Sequence, residues 1–379
     1  MHGVKRLFSW MIPRFDRDRF NVSLLSLRKK DLSEETLDAL GIDISYLERS
    51  KFDPLTLPAM LRIVDKKRID VLHLHGYGAT TFGRLVGALR GIPTIVHEHA
   101  NLTSTPWFQR LADRMLEPWT DIALAVSRST ADFVVNARLI PPSKVKVVYL
   151  GVPLQEFSRP RSPEEVEAAR RELGIARGEF AIGTITRLHD SKGNSYLVEA
   201  AARVVKERPL ARFFLVGEGP LLGDLQAQAT GLGLADRFVF AGFRRDVAGT
   251  LSAFDLSVFP SLWEGTPITA FEALAMGKPI VATDADGLLD ILTDNRDAAI
   301  VPKKNADALA DKIVWAIDHP DALARLGVEA RRTGQQYDID LFVRKMERLY
   351  VLLHDSSRAT RRKGVRGADL SFLTSDRSA

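Results

Sequence analysis

Glu264 and Glu272 flank a candidate helix start within Pro260-Ser-Leu-Trp-Glu-Gly-Thr-Pro-Ile-Thr-Ala-Phe-Glu-Ala-Leu-Ala-Met-Gly277. Pro267 suits the first helical position, Thr266 can cap it and Gly277 can end it. At about 100° per residue, Ile268, Phe271 and Ala275 form one buried stripe, and Glu272 falls inside that stripe. A carboxylate on the core side of a helix costs several kcal/mol unless something pairs with it. Ligand hydroxyls would supply the pairing. Glu264 lies just before the helix, facing the same space as the free amides of the first turn. Two acids and an anion-binding helix start suit a sugar joined to a diphosphate.

Cations for that diphosphate stand upstream. Arg187 directly follows an apolar run, and Lys192-Gly193 precedes the next helix, where ligands bind beyond the carboxyl ends of strands in open α/β sheets. Two fixed cations can offset a leaving diphosphate's charge, so no metal and no other cofactor is expected. Gly217-Glu218-Gly219-Pro220 links another strand to a helix, and its glycines admit a ligand close to the backbone. Gly242-Phe243-Arg244 ends a further strand and can stack on, or hydrogen-bond, a base. His99 closes the run Pro93-Thr-Ile-Val-His-Glu-His99 at a strand terminus and can contact the sugar or developing charge. His73 and His75 share a strand face, but no third metal ligand follows them at useful spacing. Asp284-Ala-Asp286 has a metal-binding look, but Asp-x-Asp recurs at Asp16/Asp18 and Asp338/Asp340, so a polar strand end is the better reading. There is no Gly-x-Ser-x-Gly elbow and no Walker loop.

These residues need an α/β scaffold. Short β-rich runs alternate with helical stretches throughout, predicting parallel sheets. The candidate strands are Val22–Leu27, Asp43–Leu47, Asp70–His75, Thr94–His97, Ile122–Val126, Val145–Leu150, Ala181–Thr186, Phe213–Val216, Phe238–Ala241, Leu256–Phe259, Ile280–Thr283 and Ala299–Val301. A Pro- and Gly-rich hinge over Gly151–Pro163 divides them into two Rossmann-like doubly wound domains, expected to face a central cleft. The expected boundaries are 1–157 for an acceptor-side domain and 158–337 for a donor-binding domain. A closing amphipathic helix over 338–354 is expected to pack back on the first domain. A basic tail over 355–379, with its charges concentrated in Arg358–Arg366, is expected to be disordered or to touch lipid headgroups.

The 379 residues include no cysteine, which excludes disulfides, thiolate metal sites and cysteine nucleophiles and fits a reducing cytoplasm. No apolar run approaches the roughly 18 residues of a membrane span, and the start lacks a signal peptide's apolar core. The net charge of +5 favours anionic small molecules or acidic lipid headgroups without demanding nucleic acid.

With Arg187, Lys192-Gly193, Gly217-Glu-Gly-Pro220 and Glu264-x7-Glu272 in this order, the chain resembles family 4 glycosyltransferases of the GT-B fold. The resemblance implies that Arg187 and Lys192 hold the donor diphosphate and that Glu272 binds the ribose hydroxyls. It also implies that Glu264, with the amides of Gly265 and Thr266 ahead of Pro267, positions the donor sugar, and that His99 lies near that sugar. The implied reaction is metal-independent sugar transfer from a UDP- or GDP-sugar to a glycan or lipid-linked acceptor, with retention of configuration. It would serve cell-surface polysaccharide or glycolipid synthesis, in the cytoplasm or at the inner membrane surface. An epimerase or hydrolase of the same fold, or a disabled donor-binding subunit, is the alternative.

Three departures from the family pattern stand out. The usual opening strand is missing before Met1-His-Gly3, so Gly3 reads as the end of its glycine loop. The absent strand belongs mid-sheet between Val22–Leu27 and Asp70–His75, and a start downstream of the natural one is expected. The usual Asn-Gly before the hinge is Leu150-Gly151, and the usual Gly-Gly-x-x-Glu is Asp286-Gly-Leu-Leu-Asp290. The first helix, around Val4–Phe15, mixes apolar and basic residues; core packing is favoured over an interfacial role.

Overall fold

The computed structural model describes residues 3–30, 35–50, 53–101, 105–359 and 369–374. Twelve strands are present among them, all paired in parallel: β1 (Ser23–Ser26), β2 (Asp43–Tyr46), β3 (Leu72–His75), β4 (Thr94–Glu98), β5 (Ile122–Ala125), β6 (Val145–Val147), β7 (Phe180–Ile185), β8 (Ala211–Val216), β9 (Phe238–Gly242), β10 (Leu256–Phe259), β11 (Ile280–Thr283) and β12 (Ala299–Val301). Each answers to one expected strand, because parallel strands buried on both faces read as continuous apolar runs.

The chain forms two compact units, Val152–Asp338 and the remainder. The boundary falls at Gly151, not at the expected residue 157. Val152 already belongs to the second unit, where its amide donates to Tyr337 O at 2.9 Å, and Phe157 is buried there.

In the second unit the sheet order is β12-β11-β10-β7-β8-β9. The chain steps outward from β7 to β8 and β9, then returns to the other side of β7 for β10, β11 and β12. The direction therefore reverses between β7 and β10, which opens a crevice at the carboxyl ends of those two strands. Its core joins sheet residues such as Phe213 and Val258 to helix residues such as Leu197 and Ile313.

In the first unit β3-β4-β5-β6 form one sheet, and β1-β2 form a separate two-stranded one. The two share an apolar cluster without sharing backbone hydrogen bonds. Leu25, Leu27 and Leu47 pack against Met60, Val64, Leu72, Leu74 and Val86. Gly3, expected in a ligand-facing loop, is instead the exposed first residue of the helix Gly3–Met11. Leu7, Met11, Ile12 and Phe15 are buried, so this segment is core, as its apolar face favoured.

The closing helix runs over Ile339–Ala359 within the first unit. It is tied to the first helical segment by Arg14 Nε to Asp340 Oδ1 at 2.9 Å, and Tyr350 stacks on Phe15. The disordered tail expected from residue 355 onward needs correction. Residues 355–359 continue this helix, and Ser371–Leu373 form a turn whose Phe372 and Leu373 are buried. The Arg348 guanidinium lies 4.1 Å over Phe372, and Lys345 Nζ donates to Leu373 O at 3.3 Å. Most of the basic run, residues 360–366, lies outside the described residues.

Candidate active site

The crevice between β7 and β10 is built by the loops that leave those strands. Lys192, at the end of the turn Asp190–Lys192, forms an ion pair with Glu264 of the loop after β10, and both side chains are largely buried. Ser261 Oγ also donates to Glu264 Oε1, at 2.8 Å. Main-chain bonds lock the same junction: Leu262 N donates to Ser191 O at 2.8 Å. Gly193 sits at φ +60°, and a Cβ there would stand 2.0 Å from Pro260 O, so only glycine allows the two loops this approach.

The neighbouring loops close on the same place. After β8, Gly217 at φ +137° leaves its Cα against Thr186 O, which an added Cβ would meet at 1.8 Å. Gly219 lies likewise against Leu188 O, and the Leu188 amide donates to Glu218 O at 3.0 Å. After β11, Gly287 packs on Gly265 O, with room for no side chain. The loops after β8 and β10 thus both pack on the segment Thr186–Gly193, and the loop after β11 packs in turn on the loop after β10. Arg187 stands exposed on that segment, and no side chain among the described residues pairs with its guanidinium. Phe243, after β9, is also exposed, and Gly242 O accepts from Gly217 N at 2.8 Å, which ties that loop to the glycine pair.

Glu272 is fully buried on the helix Ile268–Met276, on the core side that the wheel assigned to it. The cap differs from expectation. Pro267 is itself the N-cap, with no side-chain cap bond, and not the first helical residue behind a Thr266 cap. Its ring fixes φ while ψ stays extended, so the helix begins one residue later. Gly277 ends it at φ +68°, as expected.

Asp284 and Asp286 are engaged with one lysine. Lys303 N donates to Asp284 Oδ1 at 2.8 Å, and Lys303 Nζ lies 3.6 Å from Asp286 Oδ1. Both carboxylates thus have a polar partner just beyond the end of β11.

His99 lies in the first unit, away from these loops in sequence and sheet, within a column of four histidines. His75 and His97 are register partners on β3 and β4, so His73, His75, His97 and His99 emerge on one face. His75 Nδ1 and His99 Nε2 are 2.8 Å apart, His73 Nε2 and His97 Nδ1 3.0 Å, and His73 Nδ1 meets Tyr350 Oη at 2.7 Å. Burial pulls His99 down to about 4 and His73 to about 3, and holds His75 and His97 well below the usual imidazole range. His99 is therefore a neutral hydrogen-bonding group near pH 7. Sequence spacing found no third metal-ligand partner for His73 and His75, but the neighbouring strand supplies one. Ligand atoms of His73, His75 and His97 lie within 4.8 Å of one another.

Residue-by-residue reading missed Ser261, the Gly287–Gly265 contact and the histidine column. The column had a signal: His-x-His at the ends of two consecutive strands, with the period of two that puts both pairs on one face.

A family model described as Glycosyltransferase Family 4 matches residues 2–156, and one described as Glycosyl transferases group 1 matches residues 179–319. A 2-deoxystreptamine N-acetyl-D-glucosaminyltransferase from Streptomyces fradiae is 30% identical over 346 residues, covering 83% of this chain and 80% of the relative. This chain is a family 4 glycosyltransferase. The Escherichia coli UDP-Gal:alpha-D-GlcNAc-diphosphoundecaprenol alpha-1,3-galactosyltransferase is 23% identical over 337 residues, 84% of this chain and 85% of that protein. Among solved structures, Anabaena HepE in complex with UDP and glucose superposes with a TM-score of 0.80 at 22% identity, covering 92% of this chain and 95% of that one. The fold of this glycosyltransferase is GT-B. No helix among its described residues is long and apolar enough to cross a membrane.

Proposed function

We propose that this glycosyltransferase moves a sugar from a nucleoside diphosphate sugar to a lipid-linked glycan acceptor at the inner membrane surface, with retention of configuration and without a metal. The observation that carries the donor side is the Lys192–Glu264 pair at the point where strand order reverses, with Arg187 exposed beside it. A diphosphate placed there meets two cations, and their charge offsets what develops on the leaving group. Asp284 and Asp286 are both turned to Lys303, which argues against a metal carried by that pair. Glu272 takes the ribose hydroxyls and Glu264 the sugar, with Gly265, Thr266 and Pro267 leading into the helix between them. Gly217, Gly219 and Phe243 border the nucleotide.

In the proposed reaction the bond from the anomeric carbon to the phosphate oxygen breaks, and the acceptor oxygen bonds that carbon on the same face. The acceptor's proton passes to the departing phosphate oxygen. His99, in the first unit, is held neutral and takes no proton in this step.

The lipid-linked acceptor is supported by the E. coli relative, whose name specifies a diphosphoundecaprenol substrate, and by a Rhizobium meliloti mannosyltransferase of lipopolysaccharide core biosynthesis. UDP as the nucleotide is supported by the Anabaena complexes. A thermal-shift screen across UDP-, GDP- and ADP-sugars in EDTA tests the donor side, and UDP-sugars are expected to stabilise most. Release of nucleotide only when a polyprenyl-diphosphate glycan is added would support transfer. Equal release without acceptor would favour a hydrolase.

A further inference from the structure

The helix Trp107–Leu116 of the first unit is inverted: its polar side faces inward and its apolar side faces solvent. Gln109 and Asp113 are buried with Leu116. Asp113 pairs with Arg84 and, at 2.9 Å, with Arg138, and both arginines are themselves buried. Arg138 also reaches Glu98 at 3.0 Å. The ionic network anchors the helix, leaving Trp107 76% exposed, Leu111 51% and Met115 65%, with Phe108 and Trp119 beside them also exposed. On the wheel these side chains occupy one continuous strip, and Arg110 and Arg114 line a single flank of it. Both arginines are exposed and unpaired among the described residues. The acids of the segment are withdrawn: Asp113 is buried, and Glu117 pairs with Lys144 at 2.6 Å. The outward face is therefore apolar and purely cationic.

We propose that this face docks the glycosyltransferase on an anionic bilayer, with the apolar strip in the headgroup–acyl boundary and the two arginines on lipid phosphates. The inference rests on the lipid-linked acceptor proposed above. An apolar helix face with basic residues and tryptophans is the composition that lies in a membrane interface. A second copy of the chain fits poorly, because a two-fold contact through this strip would bring like-charged arginines together. The helix Gly3–Met11, the other candidate for membrane contact, buries Leu7, Trp10 and Met11 instead.

The test is vesicle co-sedimentation of the full chain with phosphatidylcholine alone and with about 30 mol% phosphatidylglycerol. The wild type is expected to partition onto the anionic vesicles. The combined variant W107A/L111A/M115A should lose partitioning about tenfold or more, and R110A/R114A should lose the preference for anionic lipid. Each variant should melt as the wild type does, since all five side chains are exposed, and should keep its affinity for the nucleotide sugar. Unchanged partitioning in both variants would overturn the proposal. So would loss of self-association, in place of loss of vesicle binding, in the apolar variant. Vesicle binding with no transfer to any lipid-linked acceptor would instead remove the functional reading and leave the docking face standing.

Discussion

Both units set polar side chains at the carboxyl ends of parallel strands, but the second exchanges them between loops and the first stacks them on the sheet. In the second unit, glycines at three loop ends draw the backbone so close that Lys192 of one loop reaches Glu264 of another. Charged groups there are largely buried yet sit at the crevice mouth, beside an exposed Arg187. In the first unit the histidines bond mainly to one another and to Tyr350, and burial keeps them neutral. The buried charges of the first unit are paired in the Arg84–Asp113–Arg138 network that anchors a helix. Similar strand-end positions thus yield a charged cluster in one unit and a neutral, largely self-satisfied histidine column in the other.

The contrast breaks most sharply by removing charge on each side. Asp113→Ala leaves two buried arginines facing each other and is expected to cost about 3–5 kcal/mol of stability, read by denaturant unfolding. Donor binding by the second unit should survive wherever the protein remains folded. Arg187→Ala is expected to do the reverse. It should raise the transfer barrier by about 2.7–4 kcal/mol, read as kcat, with the melting temperature unchanged because the side chain is exposed. Full activity in that variant would remove Arg187 from the site. Lys192→Ala should show both effects, since it also strands the buried Glu264 carboxylate.

A smaller effect probes the loop grip itself. Gly217→Ala forces a side chain into a backbone conformation that only glycine adopts easily and against Thr186 O, with an expected cost of about 1–3 kcal/mol. Donor affinity should fall with it, and calorimetry with the nucleotide sugar reads both.

The last prediction concerns pH and sharpens the neutral side of the comparison. The histidines are depressed in the folded state, so below the unfolded value of about 6.5 the unfolded chain binds more protons. The stability of the first unit is therefore full above that pH. It is lost progressively as pH falls toward about 4, where His99 titrates, and on toward about 3, where His73 does. Melting curves from pH 7 downward should show this slope, and it should flatten in His73→Asn.

The strands were legible because parallel strands covered on both faces leave uninterrupted apolar runs, as in Leu256–Phe259 and Ile280–Thr283, whose bounds match expectation. Among the charged candidates of the second unit, Arg187 and Lys192 stood out because they lie between an apolar run and the next helix, Glu264 because it precedes a helix start, and Glu272 because the wheel set it among apolar residues. What escaped depended on contacts between distant segments. Nothing local to Gly287 announces that it packs on Gly265, and nothing local to Asp113 announces two arginines. The inverted helix Trp107–Leu116 has the same origin, since amphipathic spacing gives a face but not its direction. The cap of Ile268–Met276 was misplaced by one residue because Pro267 fits both the cap and the first turn.

A crystal structure with UDP, grown in EDTA, tests the donor site most directly. The diphosphate oxygens are expected within about 3 Å of the Arg187 and Lys192 side chains, with the ribose on Glu272. Nucleotide bound elsewhere, or bound only when manganese sits between Asp284 and Asp286, would contradict it.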